Sequence, residues 1–236
     1  MIAVVVNTLT VLIGSLIGLL FRSRMKQNLQ NALITALGLC TAVIAMMNAL
    51  KTGDILCIII CMAVGTAVGE ALHIEAGIEK SGDALKKRFF AGGNNSRFTE
   101  GFVTASILFC IGSMTIVGSL EAGLHHDYSI IYAKSTLDLI SSMALASAMG
   151  FGVMASALFV LIFQGGLTLL ASLAGPVLSE AVVTEMTAVG GTILIGLAVN
   201  MIGLGKERIR VANMLPAIFL PTVYVPVSNY ISSLFR

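Results

Sequence analysis

From Leu139 to Ser179 the chain carries no Asp, Glu, Lys or Arg. Drawn out as one helix, that stretch would run about 60 Å, twice a hydrocarbon core of roughly 30 Å, so it has to fold back on itself. Only Gly150-Phe151-Gly152 offers a turn. Two arrangements satisfy this: a hairpin of two full spans, or a re-entrant pair of half-helices lining a cavity.

The rest of the chain follows the same rule. Apolar runs of about 17 to 25 residues alternate with short charge clusters, 57% of the 236 residues are hydrophobic, and only 11% are charged. The mean hydropathy of +0.96 is far above that of an average soluble domain. The expected fold is therefore all-α, a single polytopic transmembrane domain over residues 1–236 with about eight spans. These lie near 2–21, 31–50, 55–73, 101–120, 130–149, 152–174, 186–204 and 212–232. Seven spans plus a re-entrant pair is the variant reading. The first run has no basic residues ahead of it and "RSRMK" behind it, which reads as a first span and not a cleaved signal.

Positive charge gives orientation. Arg22, Arg24 and Lys26 follow the first span; Lys80, Lys86, Lys87, Arg88 and Arg97 follow the third; Lys206, Arg208 and Arg210 follow the seventh. The alternate connections are neutral to acidic. Basic loops stay cytoplasmic, so both termini are expected outside the inner (plasma) membrane, and residues 74–98 form a cytoplasmic basic loop. Within it, "GDALKKRFF" reads as membrane-surface or solvated. A net charge of +2 does not point to nucleic acid.

Polar groups at membrane depth are the functional candidates. Lys134 and Asp138 stand one helical turn apart inside the fifth span, with Ser135, Ser141 and Ser142 on overlapping faces. A central Asp costs about 2.5 to 3.5 kcal/mol on insertion scales, so it is expected to face protein or water. Structural pairing and an ion or proton site are both open readings. Gln164, followed by Gly165-Gly166 in the returning span, is expected to face Asp138. In the last span Pro216, Pro221 and Pro226 remove backbone donors, which would free the carbonyls of Ala212, Ala217 and Thr222 and break the helix. Freed carbonyls beside an acid favour a cation.

Other features are read as packing. Gly14-Ser-Leu-Ile-Gly18 and Gly65-Thr-Ala-Val-Gly69 put two glycines on one helix face, where backbones approach closely; their likeness is compatible with an internal repeat. The four cysteines lack C-x-x-C spacing and read as small buried hydrophobes. Glu70-x-x-His73 is a single copy of a pattern that di-metal bundles use twice, and His125-His126-Asp127 are adjacent loop residues, so no metal site or other cofactor is expected. No phosphate loop, H-E-x-x-H, G-x-S-x-G or second mid-membrane Asp is present, and no catalysis is expected.

The stretches "EGFVTASILFCIGSMTIVGSLEAGL", "YAKSTLDLISSMALASAMGFGV", "FQGGLTLLA" and "RIRVANMLPAI" resemble the uncharacterised bacterial integral-membrane family of YdfK and YqgA type, a domain of unknown function. The resemblance covers essentially the whole chain and implies a multi-pass inner-membrane protein without implying a substrate. That family usually has Gly-Pro-Met where this chain has Gly112-Ser113-Met114, which puts a kink in the fourth span in doubt. Two functions follow as expectations: a secondary transporter or channel for a small cation or solute, worked by Asp138 and Lys134, or a non-transporting scaffold or assembly factor. The bilayer is the partner common to both, and a homo-oligomer is compatible with either.

Overall fold

The computed structural model describes residues 1–22, 26–89, 97–111, 113–124, 126–174 and 179–234. Among them are ten α-helices and one 3-10 helix: α1 (Ile2–Arg22), α2 (Gln27–Ala49), α3 (Ile55–Ala71), α4 (Ile74–Phe89), α5 (Phe98–Cys110), α6 (Ser113–Leu124), α7 (Ser129–Met149), α8 (Phe151–Ala174), α9 (Glu180–Ile202), the 3-10 segment Val211–Phe219, and α10 (Pro221–Leu234). By length and composition α1, α2, α8 and α9 are each able to cross a membrane. Three bent pairs raise the number to at most seven: α3 with α4 (53°), α5 with α6 (56°), and the 3-10 segment with α10 (46°). α7 is long enough, at 21 residues, but its charged and hydroxyl residues keep it out of that set. The expected eighth pass therefore depends on α7. The protein is a polytopic α-helical membrane protein.

The uncharged stretch forms the hairpin and not a re-entrant pair: α7 and α8 are both long, and Gly150 joins them at φ 91°, a backbone region that costs glycine little. Arg22 donates to the Ala148 carbonyl at 3.5 Å and lies where a Gly150 side chain would stand. Two expectations are corrected. Residues 74–98 are not a loop throughout, since α4 is helical over Ile74–Phe89; Phe90 to Ser96, like His125 and Arg24, lie outside the described residues. The fourth span is broken at Ile111 although its proline is missing. Ile111 is extended (φ −102°, ψ 103°), and α6 starts afresh at Ser113.

Both glycine motifs sit at close backbone approaches. Gly14 meets Leu139 and Ser142, and Gly18 meets Met143, so α1 and α7 run parallel. Gly65 meets Ala217 and Gly69 meets the Asn213 carbonyl, so α3 runs antiparallel to the 3-10 segment. A Cβ at any of the four would overlap the neighbour's backbone or side chain. The two motifs thus have unlike surroundings. α2 packs antiparallel on α9, with Gly38 against Met201 and Gly191 against Ala45 and Ala49. Away from these seams Leu9, Ile13, Leu16 and Leu20 form an exposed apolar stripe on α1, and Leu39, Val43 and Met47 do so on α2, as lipid-facing helices require.

Polar clamps close the ends. Glu185 of α9 is buried and accepts hydrogen bonds from Thr52 Oγ1 (2.6 Å), Gly53 N (2.7 Å) and Asp54 N (3.2 Å), holding the α2–α3 turn. Asp54 caps α3 through Leu56 N and accepts from the Tyr224 hydroxyl at 3.0 Å. At the other end Glu75 accepts from Ala212 N (3.1 Å), while its own N–H donates to Asn213 Oδ1 (2.7 Å), which ties α4 to the 3-10 segment.

Candidate functional site: a buried ion pair beside a broken helix

α7 keeps its two charges because they satisfy each other. Lys134 and Asp138 form a hydrogen-bonded ion pair, with only 5% and 7% of each residue exposed. Lys134 Nζ also lies 5.9 Å from the centre of the Phe109 ring, within cation–π range. The pair borders a cavity of ≈ 230 Å³ whose other polar walls are Thr41 and Asn48 of α2, Thr115 of α6 and Ser141 of α7. Lys134, Asp138, Ser141 and Leu145 follow i, i+4, i+7, i+11 spacing and share this cavity face.

The break in the fourth span opens onto the same cavity. Leu108, Phe109 and Ile111 line it from the C-terminal end of α5, and Met114 and Thr115 from the first turn of α6. A helix C-terminus carries partial negative charge and an N-terminus partial positive charge, so both polar ends of the broken span border the chamber that holds an ammonium and a carboxylate. Thr115 Oγ1 donates to the Phe109 carbonyl at 2.9 Å, joining the end of α5 to the start of α6 across the break. Phe109, Thr115, Thr41 and Asn48 were not among the sequence-based candidates. Asn48 and Thr115 stand out in sequence only as two of many membrane-depth polar residues, and nothing local marks them as neighbours.

The remaining candidates are elsewhere. Ser142 donates to the Leu139 carbonyl (3.0 Å) and faces Gly14 of α1; Ser135 donates to Ile131 O (2.8 Å). Neither lines the cavity. Gln164 does not meet Asp138: its Oε1 accepts from Asn7 Nδ2 of α1 at 2.9 Å, both side chains being fully buried. The expected free carbonyls at Ala212 and Ala217 are also corrected. Over Val211–Phe219 the backbone takes 3-10 geometry, in which a carbonyl pairs three residues ahead, and Ala217 O accepts from Leu220 N at 3.2 Å. Ala217 packs on Gly65, and Ala212 is committed through its N–H to Glu75. The last span is nonetheless broken as expected, at Leu220–Pro221. Cys57, Cys61 and Cys110 are buried, whereas Cys40 is exposed on the cavity's rim.

A second cavity of ≈ 230 Å³ lies at the basic end, bordered by Glu100, Asn200, Lys206, Glu207 and Arg208; Asn200 bonds both polar groups of the Ile209 backbone there. Among the described residues no three His, Cys, Asp or Glu side chains gather as a metal site would need.

The family model for DUF554, a protein family of unknown function, matches residues 2–226. The chain belongs to this family. It is 31% identical over 230 residues to the uncharacterized membrane protein YdfK of Bacillus subtilis strain 168, covering 95% of this chain and 96% of that one. It is 26% identical over 218 residues to the uncharacterized protein YqgA of Escherichia coli K12, covering 91% and 92%. No solved structure matches. The family assignment agrees with a multi-pass membrane protein and brings no activity with it.

Proposed function

We propose that this DUF554 protein is a secondary transporter or channel for a small cation or solute, coupled to an ion or proton through Asp138 with Lys134 as its charge partner. It would sit in the inner membrane with both termini outside. The observation that carries this reading is the convergence of a broken span and a buried ion pair on one cavity. Interrupted helices at membrane depth are tolerated where they line a cavity, and their ends are a recurring way to bind charge. A purely structural role accounts less well for the pair, because the ion pair lies within one helix and reaches a second element through the cation–π contact of Lys134 with Phe109 of α5. No catalytic role is proposed, and partners beyond the bilayer and a small ligand are not needed.

In proteoliposomes the wild type is expected to show pH-dependent flux of cations, and the double variant Lys134→Ala, Asp138→Asn to be folded and inactive. A folded double variant that keeps full flux removes the pair from the mechanism and leaves a scaffold or assembly role ahead.

A further inference from the structure

The cavity opens sideways. Its rim is formed at mid-length of two helices, by Cys40 and Ile44 of α2 and Leu137 and Ser141 of α7, and the first three of these are exposed. The surfaces around them continue into Val43, Met47 and Ile140, exposed apolar side chains that hydrocarbon accommodates and water does not. Resting on the transport reading above, we infer that this opening is a lateral portal from the bilayer and that its ligand is a small amphiphilic organic cation, an ammonium group on an apolar body.

The chemistry of the walls selects that class. A bare metal ion needs about six oxygen ligands and would have to arrive through hydrocarbon. To reach Asp138 from the bilayer it would have to shed its hydration shell in hydrocarbon, which an ammonium carried on an apolar body does at far lower cost. An ammonium needs a carboxylate and an aromatic face, the two groups that Lys134 Nζ itself touches, so Lys134 occupies an ammonium site in the absence of ligand. Beyond it the walls are Leu108, Ile111, Leu145 and Leu194, suited to an apolar body. The volume of ≈ 230 Å³ exceeds the roughly 150 Å³ of an engineered cavity that holds benzene, leaving room for one ring with a short charged arm.

Benzyltrimethylammonium, a permanent cation of this shape, is the probe, and Cys40 is the reporter, because the other three thiols are buried. In proteoliposomes the probe is expected to slow alkylation of Cys40 by N-ethylmaleimide several-fold and to raise the melting temperature of the purified protein, while sodium chloride at equal ionic strength does neither. Ser141→Trp, which fills the rim, and Asp138→Asn, which removes the counter-charge, are each expected to abolish the protection. Should the Asp138 variant fail to fold, wild-type protection and the Ser141 variant still decide. Unchanged alkylation with the probe overturns the inference. If cation or proton flux then persists and depends on Lys134 and Asp138, the transport reading survives and only the amphiphile is lost; if flux is also absent, both fall. Oxidative Cys40–Cys40 cross-linking between copies, with no probe effect, shows that a second copy covers the portal and equally overturns it.

Discussion

At the scale of single residues, Lys134 and Asp138 show how a buried, largely apolar setting holds charge. Each compensates the other within one helical turn, so the pair is far cheaper than either ion alone. Removing one partner leaves a stranded charge. Lys134→Ala and Asp138→Ala are each expected to cost about 3 to 5 kcal/mol, and the double variant less than either, in equilibrium unfolding from detergent micelles. Equal, additive losses would show that the two groups are not coupled. Asn7 and Gln164 are a neutral counterpart: one hydrogen bond joins them, and Asn7 Oδ1 and Gln164 Nε2 have no protein partner. Their geometry keeps α1 against α8 without bringing Gln164 to Asp138.

At the scale of helices, small residues decide how closely the backbones pack. Gly14 lies against the Leu139 carbonyl, whereas a Cβ on Gly166 of α8 would meet nothing within 4 Å. Gly14→Ala should therefore cost about 1 to 3 kcal/mol through overpacking, while Gly166→Ala should be neutral or gain up to about 1 kcal/mol from helix propensity; thermal unfolding of the two variants side by side checks this. The α5–α6 break is also set by backbone and not by proline. Ser113 is the first residue of α6, a position where proline's missing N–H has no intrahelical partner to lose. Ser113→Pro is therefore expected to leave the melting temperature nearly unchanged. Ser119→Pro, within the same helix and fully buried, should cost about 3 kcal/mol or more.

At the scale of the whole molecule, orientation is the property most open to direct test. Reporter fusions after Lys87 and after His126 are expected to lie in the cytoplasm and outside respectively, because the connections rich in Lys and Arg recur on alternate turns. The reverse pattern would invert the molecule and place the Glu185 clamp inside and the cavity bordered by Lys206 and Arg208 outside. Either way Cys40 and Leu137 lie near the middles of α2 and α7, so the reversal would leave the proposed portal between the same helices.

The polytopic all-α architecture, the fold-back at Gly150, the Lys134–Asp138 pair and the glycine seams were legible in the sequence, because each depends on local quantities: the length of an apolar run, the spacing of an ion pair on one helix, the absence of a Cβ. The expected eight spans exceed the four to seven that the helices support, because three of the apolar runs are bent pairs and α7 is too polar to count by composition. The sequence by itself also showed that prolines break the last span, but not that 3-10 geometry re-pairs the carbonyls they free. Which helices become neighbours was decided only by the tertiary structure. Gln164 meets Asn7 because α8 borders α1, and Thr41, Phe109 and Thr115 share a cavity with Lys134 because α2 and the broken α5–α6 span converge on α7. In hydrocarbon, apolar faces gain little by preferring one another over lipid, so pairing is settled by shape and by a few polar contacts summed over the whole bundle. Those are relations between distant residues, and no local pattern carries them.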